Sequence, residues 1–370
     1  MFKKIYNLFK ILRKLSISGA VETLDQLKPL PLSLKILFKV FSIGSNKNEK
    51  VLDTSPGERL CESLEDMGTT FIKLGQFLAT RPDIIGDKIA GDLEKLQDKL
   101  PAFDTGKAKT IIEREIGSKS FKNILSLSKP IAAASIAQVH FAKIKIDDQE
   151  KDLAIKILRP NIHSQVNEEL DALMFLAFLI ESIFKKTKRL KLVEVISLLK
   201  EITNVEMDLR FEAAAAGELR DNTINDEGII VPKIYWNYTS KRILTLDRID
   251  GVSIREVKQL KALNIDHKKV SRNLIQLFLK QAVRDGFFHA DMHQGNLFVD
   301  KNGNIMPVDF GIMGRLDKNN RKYLAEILFG FIERDYNKVA EIHFLAGLVP
   351  PNTSKDDLAQ ALRSIGEPIF

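Results

Sequence analysis

Apolar residues along the chain first recur with helical spacing, then alternate as in strands, then return to helical spacing. Near the start, Phe2, Ile5, Phe9 and Leu12 share one helical face, and Lys3, Lys4, Lys10, Arg13 and Lys14 lie largely elsewhere. A second apolar and basic stretch, 30–41, carries Lys35 and Lys39. Both read as amphipathic helices, suited either to an anionic membrane surface or to packing on the body. A polar break at 46–57 reads as a linker. Helical spacing resumes at Glu58, with a helix inside 68–86 that ends near Arg81-Pro82. Further helices are predicted over 93–100, closed by Pro101, and over 107–116.

At Pro130 the pattern turns to sheet. Residues 131–146 end in a β-like run, 147–151 form a polar turn, and 153–158 read as a strand. Two long helices follow, 167–185 and 191–219. Residues 231–235 and 242–246 read as further strands of the same sheet, and 247–251 cross to a helical second lobe. There 270–286 is a helix, 297–299 and 305–308 are hairpin arms turning at Asn302-Gly303, and 319–334 is a helix.

Composition bounds this picture. With 370 residues and 44% apolar content the chain can bury a full core. Its one cysteine, Cys61, excludes an internal disulfide framework and fits a reducing compartment, with a buried thiol. Residues 1–50 hold ten Lys/Arg against three Asp/Glu, while the rest of the chain carries 46 of each. The net charge of +7 therefore belongs to the N-terminal arm, which argues against a general nucleic-acid surface. Runs of about 18 apolar residues are absent, so no transmembrane helix is predicted. The start also lacks the apolar region and cleavage site of a signal peptide.

The chemistry concentrates in HADMHQGNLFVDKNGNIMPVDFG, His289 to Gly311. Asp291 and Asn296 lie five residues apart on a loop, and the predicted hairpin folds Asp309 back beside Asn296. Oxygen ligands aimed at one point suit Mg²⁺, which also takes substrate phosphates. Asp-x₄-Asn followed by Asp-Phe-Gly is the spacing of a kinase catalytic loop and its metal-binding motif. In that scheme Asn296 and Asp309 hold Mg²⁺ and Asp291 orients a nucleophile. His289 reads as structural. A transition-metal site from His289, Asp291 and His293 is a remote alternative.

Upstream, a small-residue turn at Ala132, Ala133, Ala134 and Ser135, followed by Lys156 in an apolar strand, matches the start of a kinase small lobe. The turn would cover the phosphates and the lysine would contact them. Alanine replaces the usual glycine and admits close backbone approach less freely. Glu206, Asp208 and Glu212 are candidate inward carboxylates, with Glu212 the chosen partner of Lys156. The crossing segment, with Asp247 and Ile249, would meet adenine through its backbone. Lys73, Gln76 and Thr80 form one polar stripe, which by itself reads as solvated. No long activation loop and no Ala-Pro-Glu follow Gly311, so a platform for protein substrates is missing.

Together these motifs resemble the UbiB-like family of atypical kinases, which support ubiquinone biosynthesis. The resemblance spans roughly 61–315. It rests on K-x-G-Q at Lys73, Gly75 and Gln76, with Thr80–Asp83 trailing, and on AAASIAQVH at 132–140 with Lys156. It includes E-x-D at Glu206 and Asp208, then Glu212, His289–Asn296 and Asp309-Phe310-Gly311. The resemblance implies an α+β, protein-kinase-like bilobal fold: a small β-rich N-lobe, a helical C-lobe, and an N-terminal helical extension over the active site. Lys73 would then contact the E-x-D acids and gate the substrate groove together with Gln76. ATP and Mg²⁺ are the implied cofactors. Anionic membrane lipids, prenylated quinone precursors and other ubiquinone-biosynthesis proteins are the implied partners, at the cytoplasmic face of a bacterial inner membrane. The organisation expected is an arm at 1–50, the K-x-G-Q extension at 51–128, the N-lobe at 129–250 and the C-lobe at 251–370. Departures include Met292 and Gln294 where proline is common, Asp247 where glutamate is common, and Ala215 where the family has asparagine. Family members usually run on into hydrophobic helices, so a chain ending at Phe370 reads as truncated.

Three readings share these residues: an ATPase or kinase-like enzyme, a nucleotide-gated lipid-binding or scaffold protein, and a small-molecule phosphotransferase. The K-x-G-Q helices and the Ala-rich turn count against the third.

Overall fold

A computed structural model of the chain describes residues 9–13, 16–17, 32–42, 55–96, 100–183 and 185–370. It forms two compact units, Met1–Arg210 with Tyr235–Thr245, and Phe211–Ile234 with Leu246–Phe370. Within the arm, 9–13 are helical with Ile11 and Leu12 buried and Phe9 exposed. Phe2 and Ile5 of the same expected face lie outside the described residues.

The first unit opens with helices α1 (Leu32–Phe41), α2 (Pro56–Met67), α3 (Thr69–Ala79), the single turn α4 (Pro82–Ile85) and α5 (Asp87–Leu93). Ser55 and Glu58 close a capping box on α2, and Pro56 sits in its first turn, where no N–H is needed. The helix predicted over 93–100 is not formed over 94–96, and 97–99 lie outside the described residues. The helical turns run earlier, from Asp87 at the favourable N-terminal end of α5, and the chain leaves the helix after Leu93. Helix α6 (Thr105–Phe121), capped by Asp104, bends at Gly117, whose φ of 79° suits glycine.

Strands β1 (Ile124–Ala133), β2 (Ala137–Ile146), β3 (Gln149–Leu158) and β4 (Ile243–Asp247) form one sheet in the order β1-β2-β3-β4. The sheet thus begins before Pro130, not at it. Pro130 is tolerated because β1 is an edge strand and register shifts flank the proline. Between β2 and β3 only Asp147 and Asp148 intervene, both at positive φ (49° and 60°), as a two-residue hairpin turn requires. Residues 231–235 do not make a full strand. Pro232 cannot donate to a ladder, and only an isolated bridge, Ile234 with Leu246, forms. Inward residues Ala142, Ile144, Leu153, Ile155 and Ile157 pack with Ile111 and Ile112 of α6. Helices α7 (Ile162–Ile183) and α8 (Leu192–Glu206) complete the unit. The single helix expected over 191–219 is broken at Met207-Asp208, where the Asp208 carboxylate accepts the Arg210 backbone N–H (3.2 Å) and so starts a new helix.

That new helix, α9 (Leu209–Thr223), carries the chain into the second unit, which continues with β5 (Val252–Ser253), α10 (Val257–Ala262) and α11 (His267–Leu279). A wide π turn, Lys280–Asp285, extends α11 to Gly286, left-handed at φ 68°. Strands β6 (Phe287–His289), β7 (Leu297–Val299), β8 (Ile305–Pro307) and β9 (Met313–Arg315) pair as β5-β7-β8 and β6-β9. Leu297, Val299 and Ile305 of the β7–β8 hairpin pack with Leu260, Ile265 and Leu277. Helices α12 (Lys318–Ile332), α13 (Tyr336–Leu345) and α14 (Lys355–Gly366) follow, with Tyr336, Val339 and Leu362 in a core of their own.

Candidate functional site

The candidate residues fall in both units, and each group has its own scaffold. In the first unit the antiparallel register pairs Ala132 with Val139 and Val139 with Lys156. Directly opposed side chains share a face, so Ala132, Val139 and Lys156 form one row across three strands. Leu153, Ile155 and Ile157 alternate onto the other face, into the core. Lys156 is half-buried. The turn and the strand lysine that the sequence pairs are thus set side by side by register.

The turn itself is held through its carbonyls. The Ala134 N–H donates to Ala137 O (2.8 Å), and none of residues 132–136 has positive φ, so the turn needs no glycine. Arg159, just past β3, donates from Nη2 (2.7 Å) and Nε (3.1 Å) to Ala134 O. Its backbone N–H donates to Ile136 O (2.9 Å), and Nη1 reaches Pro101 O (2.9 Å). Thr69, at the start of α3, donates from Oγ1 to Ser135 O (3.0 Å). Ser135 is fully buried, so of the four expected phosphate-turn residues it is the one turned inward. Neither Arg159 nor Thr69 stood out in the sequence.

Gln138 and His140 of the AQVH segment are structural. Both are fully buried at alternating inward positions of β2. Gln138 bonds both backbone groups of Phe103 (2.8 and 3.2 Å), and His140 Nδ1 donates to Ser128 O (2.8 Å). Burial pushes the His140 imidazole below its ordinary value, opposed by that carbonyl. Polar residues spaced by two in the apolar first half of β2 were the available signal.

On α3, Lys73 Nζ lies 3.1 Å from Glu206 Oε2 at the end of α8, and both side chains are largely buried. Asp208 instead takes the Arg210 guanidinium on both oxygens (2.9 and 2.7 Å), which holds its carboxyl below the usual range against the effect of burial. Gly75 is fixed by packing: a Cβ there would fall 2.3 Å from Leu96 and 2.7 Å from Leu64. Gln76 is half-buried and Thr80 exposed. Burial pushes the Cys61 thiol up to about 11, so it stays protonated, with Sγ donating to Asp92 O (3.2 Å).

In the second unit two strand pairs frame the His289–Gly311 motif. Pairing of β6 with β9 brings the Ala290 N–H onto Ile312 O (3.1 Å). Pairing of β7 with β8 brings the Val308 N–H onto Asn296 O (2.8 Å), which sets Asp309 beside Asn296 as the hairpin predicts. Asn296 is buried, and its Nδ2 donates to Asp291 O (3.1 Å) and Oδ2 (3.0 Å). That donation turns Asn296 Oδ1 away from Asp291. Asp309 sits at φ 61°, a left-handed conformation that costs a non-glycine residue about 1–2 kcal/mol and so marks a site under constraint. Phe310 beside it is buried.

His289 is the post on which these pieces hang. It is buried, its Nδ1 accepts the Asp291 N–H (3.2 Å), and its Nε2 faces Val308 O (3.3 Å). The tautomer with hydrogen on Nε2 serves both contacts. Gln281 in the π turn accepts the His289 N–H (2.9 Å), and the Phe310 ring stands edge-on to the imidazole. With both ring nitrogens engaged, His289 is not a metal ligand. The transition-metal alternative therefore fails, and no cluster of three or more His, Cys, Asp or Glu suited to a metal occurs among the described residues. Asn296 Oδ1 and the Asp309 carboxylate do fit Mg²⁺, a hard cation that takes one or two protein oxygens and completes its shell with phosphate and water.

Glu212 is buried in α9 of the second unit, whereas Lys156 belongs to the first. Asp247, at the end of β4, donates its N–H to Lys233 O (3.0 Å) and accepts the Lys233 N–H on Oδ2 (3.1 Å). Ile249 is half-buried. Arg315 grips the Glu218 carboxylate from β9 and stacks over Phe287 at 4.4 Å, a link the sequence did not announce.

The sequence model of the ABC1 atypical kinase-like domain matches residues 95–343. Among solved structures, the complex of Rv3197 with erythromycin from Mycobacterium tuberculosis is similar at 24% identity. The match covers 83% of this chain and 77% of that one with a TM-score of 0.51, a likeness of fold.

Proposed function

The chain belongs to the ABC1 atypical kinase-like family, and from that premise we propose that it is an Mg²⁺-dependent ATPase supporting ubiquinone biosynthesis at a membrane. The observation that carries the catalytic part is the Asp291–Asn296–Asp309 arrangement, locked by His289 and the β7–β8 hairpin. Asn296 Oδ1 and the Asp309 carboxylate would hold Mg²⁺, which supplies charge neutralisation on the phosphates. The Asp291 carboxylate, fixed by the Asn296 amide, orients water or a substrate hydroxyl for in-line attack and takes up its proton. On the first unit's sheet, Lys156 would offer a cation to the phosphates, with Ala132 to Ala134 as the small-residue turn beside it. Adenine recognition at Asp247 must run through the carbonyl, because its N–H donates to Lys233 O. Ile249 adds the next backbone contact. Catalysis here is positioning and charge stabilisation.

The ubiquinone assignment rests on the K-x-G-Q, Ala-rich and E-x-D motifs. Lys73 and Gln76 on α3, with Glu206 and Asp208, would gate substrate entry, and the Lys73–Glu206 ion pair supports this reading. The membrane part is supported by α1, where Leu32, Ile36 and Val40 are exposed at helical spacing beside Lys39. That stripe also favours a second reading, in which ATP turnover drives the handling of prenylated quinone precursors without a phosphoryl acceptor.

The test is Mg²⁺-dependent ATP turnover, with and without anionic vesicles and a prenylated phenol, together with a search for phosphorylated product. Asp309→Asn is expected to reduce turnover to background, and undiminished hydrolysis would remove the catalytic assignment. Stimulation without product selects the second reading.

A further inference from the structure

Helix α7 is apolar on more than one side. Ile162, Val166, Leu170, Leu173 and Leu176 face the interior of the first unit. Yet Phe175, Phe178 and Ile183 are 52%, 61% and 60% exposed, and Leu179 between them is exposed too. Counted from Phe175 these positions are i, i+3, i+4 and i+8, a single stripe along the outer side of the helix. A solvated helix normally carries polar residues there, and a contiguous stripe of large apolar side chains marks an interaction surface.

The chain just beyond this stripe is basic. Lys185, Lys186, Lys188, Arg189 and Lys191 fall within seven residues, in a body whose acids and bases balance as a whole. Lys188, Arg189 and Lys191 are exposed, and Glu194 meets Lys191 (2.9 Å). The nearby acid on α7, Glu181, is drawn inward by the Val193 N–H (3.2 Å).

We propose that this face of the first unit docks on an anionic lipid bilayer, with the α7 stripe at the headgroup–acyl boundary and the basic turn on lipid phosphates. An apolar stripe alone would suit a second copy of the chain, and a basic turn alone would suit any polyanion. Their succession, α7 followed by the helical turn 185–190, is the chemistry of an in-plane amphipathic membrane binder. No helix among the described residues is long and apolar enough to cross a membrane, so the helix lies in the surface. The inference rests on the membrane part of the proposed function but assigns a surface separate from the N-terminal arm.

The full chain is floated with vesicles of equimolar phosphatidylglycerol and phosphatidylcholine, and with phosphatidylcholine alone, and its mass in solution is measured by light scattering. The variants are F175D/F178D and K188E/R189E, each checked for an unchanged thermal transition; these positions are exposed. Both are expected to bind the anionic vesicles roughly tenfold more weakly than the parent, the charge variant showing its loss only on the anionic vesicles. Parent-like binding by both variants overturns the docking surface while leaving the membrane reading intact. A parent dimer that F175D/F178D dissociates also overturns it, by showing that a second copy covers the stripe. A parent chain that binds neither vesicle removes the membrane reading itself.

Discussion

Gly75 shows how a motif residue can be legible as a letter yet opaque as a cause. K-x-G-Q is visible in the sequence, but the need for glycine comes from Leu64 and Leu96, whose methyl groups occupy the space of a Cβ. Gly75→Ala is therefore expected to destabilise the first unit by about 1–3 kcal/mol through overpacking. A denaturant midpoint equal to that of the parent would show that α2 and α3 can part at no cost. Lys73 and Glu206 are similar, since their 3.1 Å contact joins residues far apart in the chain. His289 was recognisable as structural because the kinase spacing already accounted for Asp291. The contact with Val308 that makes it a post needed the hairpin to close.

Among elements, long periodic segments were read correctly and junctions were not. The helices α3, α6, α7 and α12 and the β7–β8 hairpin appear where helical or alternating spacing places them. Strand β1 was hidden because Pro130 argues against a central strand, and only the finished sheet shows it to be an edge. The break at Met207-Asp208 was hidden because apolar spacing continues across it. The Ala-rich turn is set by its surroundings, since Arg159, just past β3, and Thr69, on α3, hold its carbonyls. Arg159→Gln should free Ala134 O and Pro101 O, lower stability by about 1–3 kcal/mol, and speed amide exchange across 132–136. Exchange there as slow as in the parent would mean that the turn holds its shape unaided.

For the whole molecule, charge is the simplest property and it is unevenly placed. The surplus of +7 lies in residues 1–50, five of its Lys/Arg before residue 16. Removing residues 1–15 is expected to weaken binding to anionic vesicles at least about tenfold at low ionic strength, with the difference shrinking as salt screens it. Equal co-sedimentation of the full and shortened chains at low salt would assign membrane contact elsewhere in the molecule. The sequence by itself determined the kinase-like class and singled out Asp291, Asn296, Asp309 and Lys156 as the proposed site, because fixed spacing along one loop or strand is local information. Only the tertiary structure decided which side chains hold those groups in place. Arg159 on the Ala-rich turn, His289 against Val308 and Gly75 beneath Leu96 are contacts between distant segments, and such contacts leave no period in the sequence from which to read them.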